Sequence, residues 1–144
     1  MIAVDTNILV YAQRMESPWH KAADRCLTEL AEGQAPWAIP WPCLHEFLAI
    51  VSNPGIWRPP TPMALAREQV ESWMQSPSLV LLGAGRGHWA ALQRSLRGRK
   101  MVGGAVHDAR IAALCMEHNV SVLWTADRDF ARFQELTVAN PLRR

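Results

Sequence analysis

The chain lacks any run of about 18 apolar residues, the length a membrane-spanning helix needs. Its first residues also lack a basic stretch followed by a hydrophobic signal core. Membrane insertion and export are therefore not expected, and the cytoplasm is the expected compartment. Cysteine is scarce: Cys26, Cys43 and Cys115 are odd in number, far apart and set in apolar helical patterns. That excludes a disulfide or zinc framework and fits reduced packing residues. Nothing repeats and nothing is low in complexity, which argues against solenoids and disordered tracts. Net charge is only +2, so the molecule is no polycation coating nucleic acid through bulk charge.

What is present is a chain of 144 residues, 49% hydrophobic and 19% charged. This is most simply one globular domain over residues 1–144, long enough to bury roughly 70% of its unfolded surface. The basic residues are unevenly placed. Arg86, Arg94, Arg97, Arg99 and Lys100 fall within fifteen positions that contain no acid, a local anion-facing surface or a solvated helix face.

Three short apolar segments read as strands: Met1 to Val4, Leu79 to Leu82 and Ser121 to Trp124, with Leu136 to Ala139 as a weaker fourth. Long helical patterns separate them. Ser17-Pro18 opens a helix running to about Glu32, with Gly33 as its stop. Pro42 opens another that ends at Ser52 to Gly55, and Thr61-Pro62 starts a third ending near Ser76-Pro77. Two more are predicted over His88 to Leu96 and Ala105 to His118, with a flexible basic loop at Gly98 to Gly104 between them. Ile56 to Pro62, with three prolines, is a rigid connector. Hydrophobic strands joined by helices predict a parallel sheet covered on both faces, an α/β sandwich with right-handed crossovers.

Most helical acids have a cation three or four residues away: Asp24 after Lys21, Glu29 after Arg25, Glu71 after Arg67. Those read as solvated surface pairs. Glu46, in WPCLHEFLAIVSNP, has Pro42, Cys43, Ala49 and Ile50 as its helical neighbours. Asp108, in GGAVHDARIAAL, has Gly104, Ala105, Ile111 and Ala112. Each points inward without a partner, or else snorkels at a core margin. Asp5, in MIAVDTNILV, adds a third acid at the end of the first strand, and Asp127 a fourth just beyond the strand ending at Trp124. In a parallel sheet these strand ends share one edge, where ligands of open α/β folds bind.

Gathering four carboxylates is unfavourable. Two full charges about 5 Å apart repel by roughly 3 kcal/mol at an effective dielectric near 20, and several such pairs raise pKa values or open the cluster. A divalent cation removes the difficulty. Hard oxygen donors without a histidine or cysteine set favour Mg²⁺ or Mn²⁺ over zinc, and magnesium commonly binds through few carboxylates plus substrate phosphate. Phosphoryl chemistry is the expectation. Thr6, Asn7 and Thr125 then orient the ligating carboxylates; alternatively Thr6 or Asn7 caps the helix after Asp5 and Thr125 ends its strand. Asp129, in TADRDF, is either a fifth acid of the group or the cap of a short helix through Phe133.

The order and spacing of xVDTNIL, PWPCLHEFLAIVSNP, VHDARIAAL and TADRDF resemble the PIN-domain family, particularly the toxin subunits of VapBC toxin–antitoxin pairs, from Ile2 to Phe133. The resemblance implies a three-layer sandwich with a central, mainly parallel sheet of four to five strands. It implies an Mg²⁺- or Mn²⁺-dependent endoribonuclease held inactive by a cognate antitoxin. The family's acidic quartet falls on Asp5, Glu46, Asp108 and Asp127, none replaced. Asp5 and Asp108, with Asp127, would hold one or two ions, while Glu46 completes the metal site or positions the attacking water. Single-stranded or looped RNA is the expected substrate, with Arg86, Arg94, Arg97, Arg99 and Lys100 as phosphate contacts.

Two features depart from the pattern: His107 precedes the third acid, and there are seven tryptophans. Trp19, Trp37, Trp41, Trp57 and Trp73 offer more aromatic surface than a small core conceals, so some are expected to face an antitoxin or, in a homodimer, a second copy. Three other functions compete. A phosphatase with Asp5 as nucleophile would want a second Asp where Asn7 stands. A nonenzymatic RNA-binding or scaffold protein of PIN architecture would not need intact acids. A housekeeping PIN nuclease of RNA maturation would lack an antitoxin gene beside it.

Overall fold

A computed structural model describes residues 1–143. Five strands, β1 (Ile2–Val4), β2 (Trp37–Pro40), β3 (Leu79–Leu82), β4 (Val122–Trp124) and β5 (Val138–Ala139), form one sheet in the order β3-β2-β1-β4-β5. Every neighbouring pair is parallel. The α/β sandwich expected from the alternation of strands and helices is therefore the observed architecture.

Six helices connect the strands: α1 (Thr6–Gln13), α2 (His20–Glu32), α3 (Trp41–Val51), α4 (Met63–Met74), α5 (His88–Ser95) and α6 (Gly104–Glu117). A 3₁₀ turn over Arg128–Arg132 links β4 to β5. The chain first winds outward from β1 through β2 to β3, then returns past β1 to lay down β4 and β5. With right-handed crossovers, that reversal puts the early helices on one face and α5 and α6 on the other. It also opens a crevice between β1 and β4 at the carboxyl ends of the strands.

The core explains why these elements form. β2 is buried at all four residues, and Ala3 and Val4 of β1 and Leu123 of β4 are wholly buried, as strands covered on both sides must be. Phe47 of α3 meets Trp73 of α4 edge to face with ring centroids 4.9 Å apart. α6 buries Ala109, Ala112 and Ala113 beside Ile111 and Leu114, small side chains that bring its backbone close to the sheet. Gly103 precedes it with φ +58 and ψ −125, a conformation that side chains other than glycine's rarely adopt. All three cysteines are buried, and none of them is in a disulfide. Among the described residues no helix is long and apolar enough to cross a membrane.

Two expectations need correction. β2 falls between Gly33 and Pro42, where no strand is predicted. The pairs Lys21–Asp24, Arg25–Glu29 and Arg67–Glu71 do not form; the ion pairs among the described residues are Arg14–Glu16, His88–Glu117 and Arg94–Glu135. Exposed side chains at those spacings gain too little in water to be held together. Of the tryptophans, Trp37 and Trp73 are core residues, whereas Trp19, Trp41 and Trp89 keep 40%, 39% and 63% of their surface exposed.

Candidate active site

β1 delivers Asp5 to the crevice. Its backbone N–H still donates to the Trp124 carbonyl (2.9 Å), so the residue is pinned between β1 and β4 where the ladder ends. Asp5 caps α1, settling the choice left open between Thr6 and Asn7: Oδ1 accepts from the Thr6 N–H at 2.8 Å. Oδ2 accepts from the Thr125 hydroxyl (2.7 Å) and the Asn7 amide (3.2 Å). The buried Cys43 thiol lies 3.7 Å from Oδ1. Burial pushes the Asp5 carboxyl up to about 6, with the Glu46 charge adding to it and the bonds from Thr125 and Thr6 pulling the other way.

Asn7 and Thr125 extend this node into the next loop. The Asn7 amide also donates to Thr125 Oγ1 (3.2 Å), while its Oδ1 accepts from the Ala126 N–H (3.1 Å). Thr125 Oγ1 in turn accepts from the Asp127 N–H at 3.0 Å. Two side chains thus fix the backbone that presents Asp127. Glu46 comes from α3, partly exposed, and its Oε2 accepts from the Thr6 hydroxyl at 3.0 Å. Its inward aim is compensated by a hydroxyl donor from α1, not by a cation.

The acids that come closest together are Asp108 of α6, Asp127 and Asp129: one carboxylate oxygen from each lies within 4.8 Å of the others. Asp127, not Asp129, caps the 3₁₀ turn, its Oδ1 accepting from the Asp129 N–H at 2.9 Å. That leaves the exposed Asp129 carboxylate beside the other two. The Asp108 carboxyl is raised, first by burial and then by the Asp127 charge, with Asp129 and Glu46 adding and Arg132 opposing. Asp5 lies outside the 4.8 Å set. The Glu46 charge raises both Asp5 and Asp108, so it bears on the buried node and on the acid triplet alike.

Three carboxylate oxygens at that spacing, with no thiol or imidazole in the set, are a donor arrangement that fits a hard divalent cation. The mutual repulsion that raises Asp108 is what such an ion would relieve.

The basic residues separate. Arg94, Arg97 and Arg99 line a cleft of about 510 Å³, whereas Arg86 and Lys100 do not. A fourth arginine, Arg132, lines it too and donates from Nε to the Asp129 carbonyl (3.1 Å). Arg132 escaped the sequence reading because, three residues after Asp129, it looks like an ordinary helix-surface cation. His107 is exposed.

Comparison with known proteins agrees with this geometry. A model of the PIN domain matches residues 2–136. Ribonuclease VapC43 of Mycobacterium tuberculosis is 33% identical over 142 residues, covering 99% of this chain and 96% of that one. Ribonuclease VapC48 of the same species is 28% identical over 137 residues, covering 95% and 94%. Among solved structures, FitAcB from Neisseria gonorrhoeae superposes with a TM-score of 0.70 at 19% identity, covering both chains fully. VapBC2 from Rickettsia felis, bound to a DNA fragment from its promoter, gives 0.67 at 21%, covering 97% of this chain and 98% of that one. With the parallel five-stranded sheet and the acids at its carboxyl edge, these matches establish that the chain belongs to the PIN domain family.

Proposed function

We propose that the protein is a divalent-metal-dependent endoribonuclease that hydrolyses RNA phosphodiesters, and that it is the toxin of a type II toxin–antitoxin pair. The observation that carries the reading is the set of carboxylate oxygens from Asp108, Asp127 and Asp129 within 4.8 Å at the edge of the sheet. The ribonuclease relatives at about one-third identity across almost the whole chain support the substrate class and the antitoxin partner.

Asp108, Asp127 and Asp129 would hold Mg²⁺ or Mn²⁺, with Asp5 beside them. Such an ion, when bound, supplies positive charge to the phosphodiester and acidifies a water molecule. The protein's own residues do the rest. Asp5 stays fixed by three hydrogen bonds and, through Thr125, holds the Asp127 backbone. Asn7 braces the same loop from the other side. Glu46, with Oε2 committed to Thr6, has Oε1 to orient the attacking water and accept its proton. Burial of the Cys43 thiol raises it well above its ordinary range, with the Asp5 charge adding, so it stays a neutral thiol beside the Asp5 carboxylate.

The test is RNA cleavage with Mg²⁺, Mn²⁺, Ca²⁺ or EDTA, using the wild type, Asp108→Asn and Asp5→Asn. The expected result is cleavage with Mg²⁺ or Mn²⁺, none in EDTA, and a loss of at least about a hundredfold in either variant. Undiminished cleavage by Asp108→Asn would defeat the assignment. A short neighbouring gene for a DNA-binding protein, whose product suppresses cleavage on co-expression, is the outcome expected of a toxin. Its absence would favour an RNA-maturation enzyme.

A further inference from the structure

The cleft beside the acids has two kinds of wall. Arg94, Arg97, Arg99 and Arg132 surround it with Glu135 as its only acid, a net charge of +3 within about 510 Å³. Glu135 is already paired, 3.5 Å from Arg94. The remaining wall is apolar: Met101, Met116 and Phe133 line it, and Phe133 packs on Phe130 with ring centroids 5.9 Å apart. An inorganic anion would use the arginines and leave that wall idle. A polyanion tracking a protein surface through its charges alone would not need the apolar wall either. The combination fits a flat apolar ring joined to a phosphate.

The cleft is also tied to the acid triplet. The turn that begins at Asp127 and carries Asp129 ends at Arg132, whose Nε holds the Asp129 carbonyl. At about 2 Å of rise per residue, the three residues from Asp129 to Arg132 span roughly 6 Å, on the order of one nucleotide step along a single strand. We propose that this cleft is a nucleotide subsite, taking the base and phosphate of the residue next to the scissile bond of single-stranded RNA, and that it selects where the strand is cut. The proposal rests on the ribonuclease reading and goes further by giving the substrate a base-reading contact. Arginine guanidinium planes and the sulfur and ring surfaces of methionine and phenylalanine are the groups that grip an unstacked base and its phosphate.

The experiment is calorimetric titration of the full chain, in EDTA so that the acids hold no metal, with 5′-AMP, 5′-GMP, 5′-CMP, 5′-UMP and inorganic phosphate. At least one nucleotide should bind about tenfold or more tightly than phosphate, the margin expected from one buried ring contact. Arg97→Ala with Arg99→Ala should weaken nucleotide binding at least tenfold, and each should lower the slope of log affinity against log salt for a short RNA by about 0.7. Met101→Ala should weaken the nucleotide and not phosphate. All three residues lie in the loop before α6, and unchanged thermal melting will show that the variants fold. In cleavage assays the double arginine variant should raise KM far more than it lowers kcat and should shift the cleavage sites. Equal affinity for phosphate and nucleotides, or nucleotide affinity indifferent to the arginines, overturns the proposal. The two readings fail separately: RNA cleavage with KM untouched by the arginine changes removes the subsite and keeps the nuclease, whereas nucleotide binding here without any RNA cleavage removes the nuclease and keeps the subsite.

Discussion

Removing the charge from Asp5 should stabilise the metal-free protein, and by an amount that depends on pH. Asp5 is 4% exposed, and its carboxyl moves from 3.8 to about 6 on folding, chiefly through burial. A raised acid contributes stability that is complete below the unfolded value of 3.8 and is lost as pH rises through the folded value of about 6. The shift of about 2.2 units corresponds to about 3 kcal/mol lost on the alkaline side, at 1.36 kcal/mol per unit, of which about 1 kcal/mol is already lost by pH 4.5. Asp5→Asn escapes this loss. It introduces a different one, because the new amide faces two donors where Oδ2 now accepts, the Thr125 hydroxyl at 2.7 Å and the Asn7 amide at 3.2 Å; the hydroxyl can turn its proton away, and the remaining donor-against-donor mismatch with Asn7 costs about 1 kcal/mol at every pH. In EDTA the variant should therefore be about 2 kcal/mol more stable than wild type at pH 8 and roughly equal at pH 4.5. The corresponding difference in melting temperature is about 6 °C at pH 8. Chemical denaturation at both pH values measures it, and the comparison with wild type cancels the other titrating acids, Asp108 among them. A stability difference that stays constant between the two pH values would refute the burial argument. Destabilisation at pH 8 would show that the hydrogen bonds outweigh it.

Mn²⁺ at a hundredfold its dissociation constant should raise stability by about 2.7 kcal/mol; Asp129→Asn and Asp108→Asn should each remove most of that gain, as read by melting with and without metal. Asn7→Ala deletes the brace to the Ala126 N–H and one donor to Asp5; it should cost about 1–3 kcal/mol in denaturation and lower cleavage further than the stability loss alone explains. A thiol reagent should label none of Cys26, Cys43 and Cys115 in the native protein and all three in denaturant, because all are buried and burial lifts Cys115 to about 12. Gly103→Ala should destabilise by at least about 1 kcal/mol, since nothing crowds the position and the φ of +58 alone opposes a side chain.

The strands and helices were legible wherever punctuation and periodicity agreed. Pro18, Gly33, Pro42 and Pro62 bracket helices within a few residues of where they occur, because proline and glycine act through local backbone geometry. β2 was not legible for the same reason turned around. Trp37 to Pro40 lies among Pro36, Pro40 and Pro42, and prolines at that density mask a strand. Its strand character comes from parallel partners on both sides, β1 and β3, both distant in sequence. Pro40 is tolerated because it is the last strand residue, where a missing N–H breaks only the end of the ladder.

The acids divide along the same line between local and distant information. Unpaired helix faces single out Glu46 and Asp108, since helical spacing shows which neighbours a carboxylate lacks. The rank order among the other acids depends on how many oxygen lone pairs the fold has already spent. Asp5 gives its oxygens to Thr6, Asn7 and Thr125, the last from just beyond β4, 120 residues away in the chain, and sits outside the tightest acid set although it opens the most distinctive motif. Asp129 gains its place because Asp127 takes over the capping duty that either could perform, through a bond to the Asp129 N–H. In TADRDF the two acids are equivalent as caps; only the arrival of Asp108 on α6 distinguishes them, by making a carboxylate on the open side of the turn the third oxygen of a triangle. An oxygen that serves the backbone orients the site, and one left over from that service, on the same carboxylate or its neighbour, is free to meet a cation.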